Sequence, residues 1–168
     1  GQIPSDIFFL VSVHPQDTAD LSGFENKPNF IIRRIGTGFG INYKATEVDR
    51  EATKQLINFI YHSEIVITVS TSLVLDAIIF DKPQIMLGFD GYEKRPFLKS
   101  VRRYQKEDNM DGFVKTGAAR VVKNPEELID WINKYLENPQ IDSENRNKAR
   151  KGILMNPDGQ AGERIAGK

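Results

Sequence analysis

Apolar positions along the chain fall into short runs of two kinds, and their alternation predicts the fold. Asp6–Val13 (DIFFLVSV) is a nearly continuous apolar run whose length suits a strand buried on both faces. His14-Pro15 ends it, because proline lacks the ladder donor. Asn29–Ile35 (NFIIRRI) predicts a second strand, followed by the loop Gly36-Thr37-Gly38-Phe39-Gly40. In Asp49–His62 the period changes. Ala52, Leu56, Phe59 and Ile60 recur at i, i+4, i+7 and i+8, one apolar stripe of an amphipathic helix.

Glu64–Val69 (EIVITV) reads as a third buried strand. Ser70-Thr71-Ser72 then supplies three hydroxyl residues of the capping type, and Leu73–Phe80 follows as a helix that Asp81-Lys82-Pro83 breaks. Gln84–Phe89 predicts the next strand, a segment from about Phe97 to Lys106 a helix, and Ala118–Val122 a short strand. Asn124-Pro125-Glu126-Glu127 opens a helix in the expected way: Asn caps, Pro fits the first helical position, and Glu127 stands where a capping box wants its carboxylate. Leu128, Ile129, Ile132, Tyr135 and Leu136 form its stripe, and Asn138-Pro139 ends it. A polar helix is expected over residues 143–152 and another from near Asp158-Gly159.

Strands alternating with helices predict an α/β fold, a Rossmann-like parallel sheet with helices on both faces. In such folds ligands bind beyond the carboxyl ends of the strands. The segments to watch are therefore His14–Thr18, Gly36–Asn42, Val69–Ser72 and Asp90–Arg95. A length of 168 residues suits a single domain spanning 1–168.

Composition narrows the chemistry. With 39% hydrophobic and 27% charged residues the chain can bury a core. Lys+Arg and Asp+Glu both number 23, and the resulting zero net charge argues against nucleic acid as a partner held by a general basic field. Cysteine is absent, which excludes disulfides, iron–sulfur clusters and a cysteine nucleophile. The two histidines, His14 and His62, are far apart with no thiolate to help them, so no metal site is expected. No apolar run approaches the roughly 20 residues that span a bilayer. The first residues lack the basic-then-apolar order of a signal peptide, so a cytoplasmic protein is expected.

The densest chemistry lies in Ile65–Asp90. The Ser70-Thr71-Ser72 corner stands between a buried strand and a helix start, where backbone amides and hydroxyls together suit a phosphate or diphosphate. Asp76, four residues past Ser72, lies one turn into the helix, placed for two vicinal hydroxyls such as a ribose diol. Two readings stand open on this pattern: a nucleotide cradle, or plain N-capping with Asp76 a first-turn acid favoured by the dipole.

The segment resembles the donor-binding half of GT-B glycosyltransferases, most closely the CDP-glycerol glycerophosphotransferase group, which polymerises glycerol phosphate in bacterial wall and surface polymers. Thr71-Ser72, Asp76, Lys82-Pro83, Ile85–Phe89 and Asp90 fall at matching spacing, and FFLVSVHP has the form of that group's apolar strand ending in His-Pro. The tail Asn156–Ile165 is similar to the closing helix of UDP-N-acetylglucosamine 2-epimerase relatives, with Ala161 and Ile165 placed to dock it. The likeness is dense in residues 7–18, 57–92 and 153–166. Leu73-Val74 stands where the epimerases carry a glycine pair, and Val69-Ser70 where the glycerophosphotransferases carry an acid and an aromatic residue.

The resemblance implies a C-terminal GT-B domain excised from a longer chain. A missing N-terminal domain would hold the acceptor and the general base, leaving the isolated domain inactive. It further implies an enzyme that transfers a glycosyl or glycerophosphoryl group from a CDP- or UDP-linked donor, with no cofactor beyond that donor. His14, Ser70, Thr71 and Ser72 would hold the diphosphate, Asp76 the ribose, and Asp90 would stand at the cleft edge. His14 is the one candidate for a catalytic role. A peripheral contact with a membrane-linked acceptor is also expected. The rival readings are a UDP-sugar 2-epimerase-like domain and a non-catalytic α/β binding module.

Three weaker signals remain. Gly36–Gly40 lacks the spacing of a dinucleotide fingerprint; successive glycines can form an anion nest, but the segment reads better as a flexible loop. Lys94, Arg95, Lys99, Arg102, Arg103 and Lys106 form a basic cluster, four of them on one face if the segment is helical. That face suits a phosphate-rich acceptor, an anionic lipid or simply solvent. Asp108–Gly112 has the look of a calcium loop, but Ala119 replaces the twelfth-position Glu, so it is set aside.

Overall fold

A computed structural model of the chain describes residues 2–14, 17, 20–35, 49–69, 71–91, 93–106, 108–154 and 158–167. The chain is α/β, and every strand pairing among the described residues is parallel, as the alternation predicts. The strands lie in two sheets, and the chain divides into two compact units, Gln2–His62 and Ser63–Lys168. No helix among the described residues is long and apolar enough to cross a membrane.

In the first unit β1 (Phe9–Val13) pairs with β2 (Phe30–Arg34), in a register running from Phe9 opposite Phe30 to Val13 opposite Arg34. The Phe9 and Phe30 rings stack at 4.9 Å, and Phe24 of α1 (Ser22–Glu25), a short helix the sequence pattern did not reveal, lies 5.4 Å from Phe30. The expectation that β1 is buried on both faces does not hold, since Phe8 and Leu10 are exposed. A two-stranded pair covers one side only, so alternation favours Phe9, Val11 and Val13. Helix α2 (Arg50–His62) forms as its stripe predicts. Asp49 caps it by accepting the Ala52 amide at 2.7 Å, and Ala52 and Ile60 are buried.

The second unit is built on β3 (Val66–Thr68), β4 (Gln84–Leu87) and β5 (Arg120–Val122), in the order β3-β4-β5. Around them run α3 (Leu73–Ile79), α4 (Asp108–Lys115), α5 (Pro125–Glu137), α6 (Ser143–Ile153) and α7 (Ala161–Ile165). Val74 and Ile78 of α3, Met86 of β4, Met110 and Phe113 of α4, and Ala149 of α6 close one core cluster with Ala118 and Ala119. Ile85, which alternation aims at the other face of β4, is equally buried, and α5 packs on β4 and β5.

Helix α5 carries its cap: Asn124 Oδ1 accepts the Glu127 amide at 2.8 Å. Glu127 Oε2 accepts the Lys123 amide at 2.9 Å, one residue before the donor of a strict capping box. Helix α3 ends in a Schellman turn, with Lys82 N–H on the Ala77 carbonyl and Asp81 N–H on that of Ile78, both at 3.0 Å. Asp81 takes the left-handed position usually given to glycine, at φ +51°.

Three expectations are corrected. Residues 97–106 do not form one helix. Two 3-10 turns, Phe97–Lys99 and Val101–Lys106, are separated by Ser100 in extended backbone, so Arg95, Lys99 and Arg102 share no helical face. Asp108–Lys115, read only as a discarded calcium loop, is α4; its signal was Met110, Phe113 and Val114 at i, i+3 and i+4. Ala161 and Ile165 do not dock α7, because both are exposed, Ile165 to 88%. Gly36–Gly40 and Asn156-Pro157 lie outside the described residues.

Candidate functional site

Thr71, Ser72 and Asp76 stand in sequence just beyond the carboxyl end of β3, where the parallel-sheet rule places a ligand. Ser72 is the first residue before α3, yet its hydroxyl makes no capping bond and its backbone is already helical. Thr71 and Ser72 are both exposed. Plain side-chain capping therefore does not describe Ser72. The amides of Val74 and Leu75, however, turn onto the Thr71 and Ser72 carbonyls at 3.3 and 2.9 Å. This tight first turn takes up amides that the sequence pattern left for an anion. A seven-residue helix also carries little macrodipole. The side chains must supply most of what such a site offers.

Asp76 follows Ser72 by one helical turn, on the same face. Its carboxyl is half-buried, and burial pushes its pKa above the ordinary aspartate value. Hydrogen-bond donors brought to that carboxylate would favour its charged form.

Thr68, the last residue of β3, was not singled out from sequence. It is 9% exposed, and its Oγ1 has no hydrogen-bond partner. That oxygen is closed off from the surface, so it offers a ligand no direct contact. Its one sequence signal is a threonine inside the otherwise apolar run Ile65–Val69.

Asp90, beyond the end of β4, is organised inward. Its carboxylate is 4% exposed. It accepts the Val101 amide at 2.8 Å and the Arg95 amide at 3.2 Å, with Arg102 Nε at 3.6 Å. Burial works against its charge, but hydrogen bonds from Ser100, Val101 and Arg95 and the Arg102 cation outweigh it and hold the carboxyl below the usual range. Asp90 therefore shapes the loop after β4 and has its oxygens engaged by the chain.

His14 lies at the carboxyl end of β1, exposed, with its carbonyl accepting the Asp17 amide at 2.8 Å. It belongs to the first unit, whereas Thr71, Ser72, Asp76 and Asp90 belong to the second. Ser70 lies outside the described residues.

A half-open groove of about 370 Å³ occupies the opposite end of the second sheet. Glu64, Lys82 and Pro83, which precede β3 and β4, line it together with Asp81, Tyr135 and Gln140. It does not coincide with the corner at Thr71-Ser72.

No protein-family model, curated protein or solved structure matches the chain.

Proposed function

We propose that the chain is the donor-binding domain of a transferase that takes a nucleotide-diphosphate-activated glycosyl or glycerophosphoryl group, of the kind used in bacterial surface-polymer synthesis. The observation that carries this reading is the polar constellation at the mouth of β3. Thr71 and Ser72 present exposed hydroxyls, and Asp76 presents a half-buried carboxylate one turn further on. The hydroxyls suit phosphate oxygens, and the carboxylate suits the two donors of a ribose diol. The order of motifs from Thr71 through Lys82-Pro83 to Asp90 supports the same assignment. In this reading Asp90 acts by holding the loop after β4. The domain would work by positioning the donor and stabilising charge on the leaving group.

The test is the thermal midpoint of the chain with CDP, UDP, CMP, ADP and GDP. Ligand binding to the folded state raises apparent stability by mass action. Selective stabilisation by CDP supports a glycerophosphoryl donor, and stabilisation by UDP a sugar donor. UDP-sugar interconversion without an acceptor would assign the epimerase activity instead. No shift with any nucleotide would leave a non-catalytic α/β module and overturn the proposal.

A further inference from the structure

We propose that the loop 95–101, with Leu98 at its tip, is a docking element for an anionic lipid surface. This stands on the loop alone and does not depend on the nucleotide reading.

Glu93 to Lys99 are all exposed, Phe97 to 47% and Leu98 to 77%. Exposed apolar residues are common singly, but these two are adjacent and held out by a braced backbone. The buried Asp90 carboxylate binds the amides of Arg95 and Val101, so one side chain clamps both ends of the loop. Arg102 Nη2 donates to the Arg95 carbonyl at 2.7 Å, and its Nε to Ser100 Oγ at 2.7 Å. Arg103 Nη1 grips the carbonyl of Leu98 itself at 2.8 Å, while Nη2 donates to the Tyr104 hydroxyl. The amides of Lys99 and Ser100 close on the carbonyls of Pro96 and Phe97. The entropy of ordering this tip is therefore already met before any partner arrives.

The charge around it names the partner. From residue 90 to residue 103 the chain carries Lys94, Arg95, Lys99, Arg102 and Arg103 against Glu93 and the buried Asp90, which pairs with Arg102, an excess of three cations although the whole sequence is neutral. Exposed apolar residues flanked in sequence by cations match the boundary between acyl chains and anionic headgroups. Single-stranded nucleic acid would engage the cations and stack on Phe97, but it gains little from Leu98, the most exposed apolar residue of the tip. A protein pocket would take Leu98 without needing cations on both sides. The loop also follows the carboxyl end of β4, and the Thr71-Ser72 corner follows that of the parallel neighbour β3.

The experiment is co-sedimentation of the chain with vesicles of phosphatidylcholine alone and of phosphatidylcholine mixed with phosphatidylglycerol. The expected result is binding to the mixed vesicles only, weakened when salt rises from about 0.1 M to about 0.5 M. Leu98→Asp should reduce partitioning by about ten-fold or more. Lys94→Gln and Lys99→Gln should each reduce it by about five-fold. All three positions are exposed, and circular dichroism of each variant should match the parent. No binding to anionic vesicles, equal binding to neutral ones, or undiminished binding by folded Leu98→Asp would each overturn the proposal.

Discussion

The guanidinium of Arg146, wholly buried in α6, meets the carboxylate of Asp81 at the end of α3, with Nε 2.7 Å from Oδ1. The same guanidinium donates to the carbonyls of Ile141 at 2.7 Å and Pro139 at 2.9 Å. Ser143 adds a bond from its hydroxyl to Asp81 Oδ2 at 3.2 Å. One side chain thus joins the α3 turn, the 139–141 connection and α6, and it explains why aspartate occupies a left-handed position. Asp and Asn adopt that backbone more readily than other residues with a side chain.

Removing Arg146 breaks this join from the buried side. Arg146→Ala should destabilise the second unit by about 2–3 kcal/mol, because it strands the Pro139 and Ile141 carbonyls and empties a buried site. Asp81→Asn should cost less, because the Asp81 side chain is 40% exposed and Asn keeps the backbone geometry. The sole tryptophan, Trp131 on α5, reports both in urea titrations.

Tyr135 donates its hydroxyl to Asp142 Oδ2 at 2.8 Å, beside Arg120, whose guanidinium pairs with the same carboxylate and lies 4.5 Å over the Trp131 ring. Burial, reinforced by Asp142, pushes the Tyr135 pKa well above its ordinary value. A folded pKa above the unfolded one means the fold holds this proton more tightly. Its stabilising contribution is complete below pH about 10 and is lost as pH rises beyond that. Tyr135→Phe should cost about 1 kcal/mol at neutral pH and lessen the alkaline loss. Urea midpoints measured across that pH range, read by Trp131 fluorescence, check both effects.

Gln84 opens β4 at 1% exposure, and both polar atoms of its side-chain amide lack partners. Gln84→Met keeps the length and removes the unsatisfied groups, so stability should rise by about 1–2 kcal/mol. An unchanged or lower denaturation midpoint would show that the amide is satisfied in solution.

Asp76 should show a conflict between stability and binding. Its carboxyl titrates above the ordinary value because burial disfavours the charge, so its contribution to folding is present below pH about 4 and lost as pH rises through the raised pKa. Asp76→Asn should therefore stabilise the chain at neutral pH by about half a kcal/mol, a small effect for a group still touching solvent, and the gain should vanish in acid. The same change should weaken nucleotide binding by about ten-fold or more, since a carboxylate is the better acceptor for a diol. Calorimetric titration with the stabilising nucleotide decides the second part. Full affinity in the variant would remove Asp76 from the site.

Asn124 offers a local control. Asn124→Ala removes the acceptor for the Glu127 amide and should cost about 1 kcal/mol in urea unfolding, while nucleotide binding stays unchanged.

Periodicity and punctuation alone determined the α/β class and most of the element order, while α1, α4 and the two 3-10 turns within 97–106 escaped them. The Ala52–Ile60 stripe, the Asn124 cap and the break at Asp81-Lys82-Pro83 depend on neighbours a few residues away, and short-range geometry is written in short-range pattern. The same pattern marked Thr71, Ser72 and Asp76 as following a strand, which is where they stand. It could not show the tight first turn that takes up the Val74 and Leu75 amides, nor the unpartnered hydroxyl of Thr68. Tertiary contacts decided the rest. Arg146 falls in the polar helix expected over residues 143–152, and only the fold shows that Asp81 and the carbonyls of Pro139 and Ile141 enclose it. Asp90 reads as a ligand contact until the amides of Arg95 and Val101 close on it. The basic segment reads as a helical face until Ser100 and Asp90 fold it into a loop with Leu98 outward. Each case turns on how the chain folds back on itself, through Asp81 far off in sequence for Arg146 and through a closed loop for Asp90, and burial of a charge or a carboxylate is a property of those partners rather than of the residue.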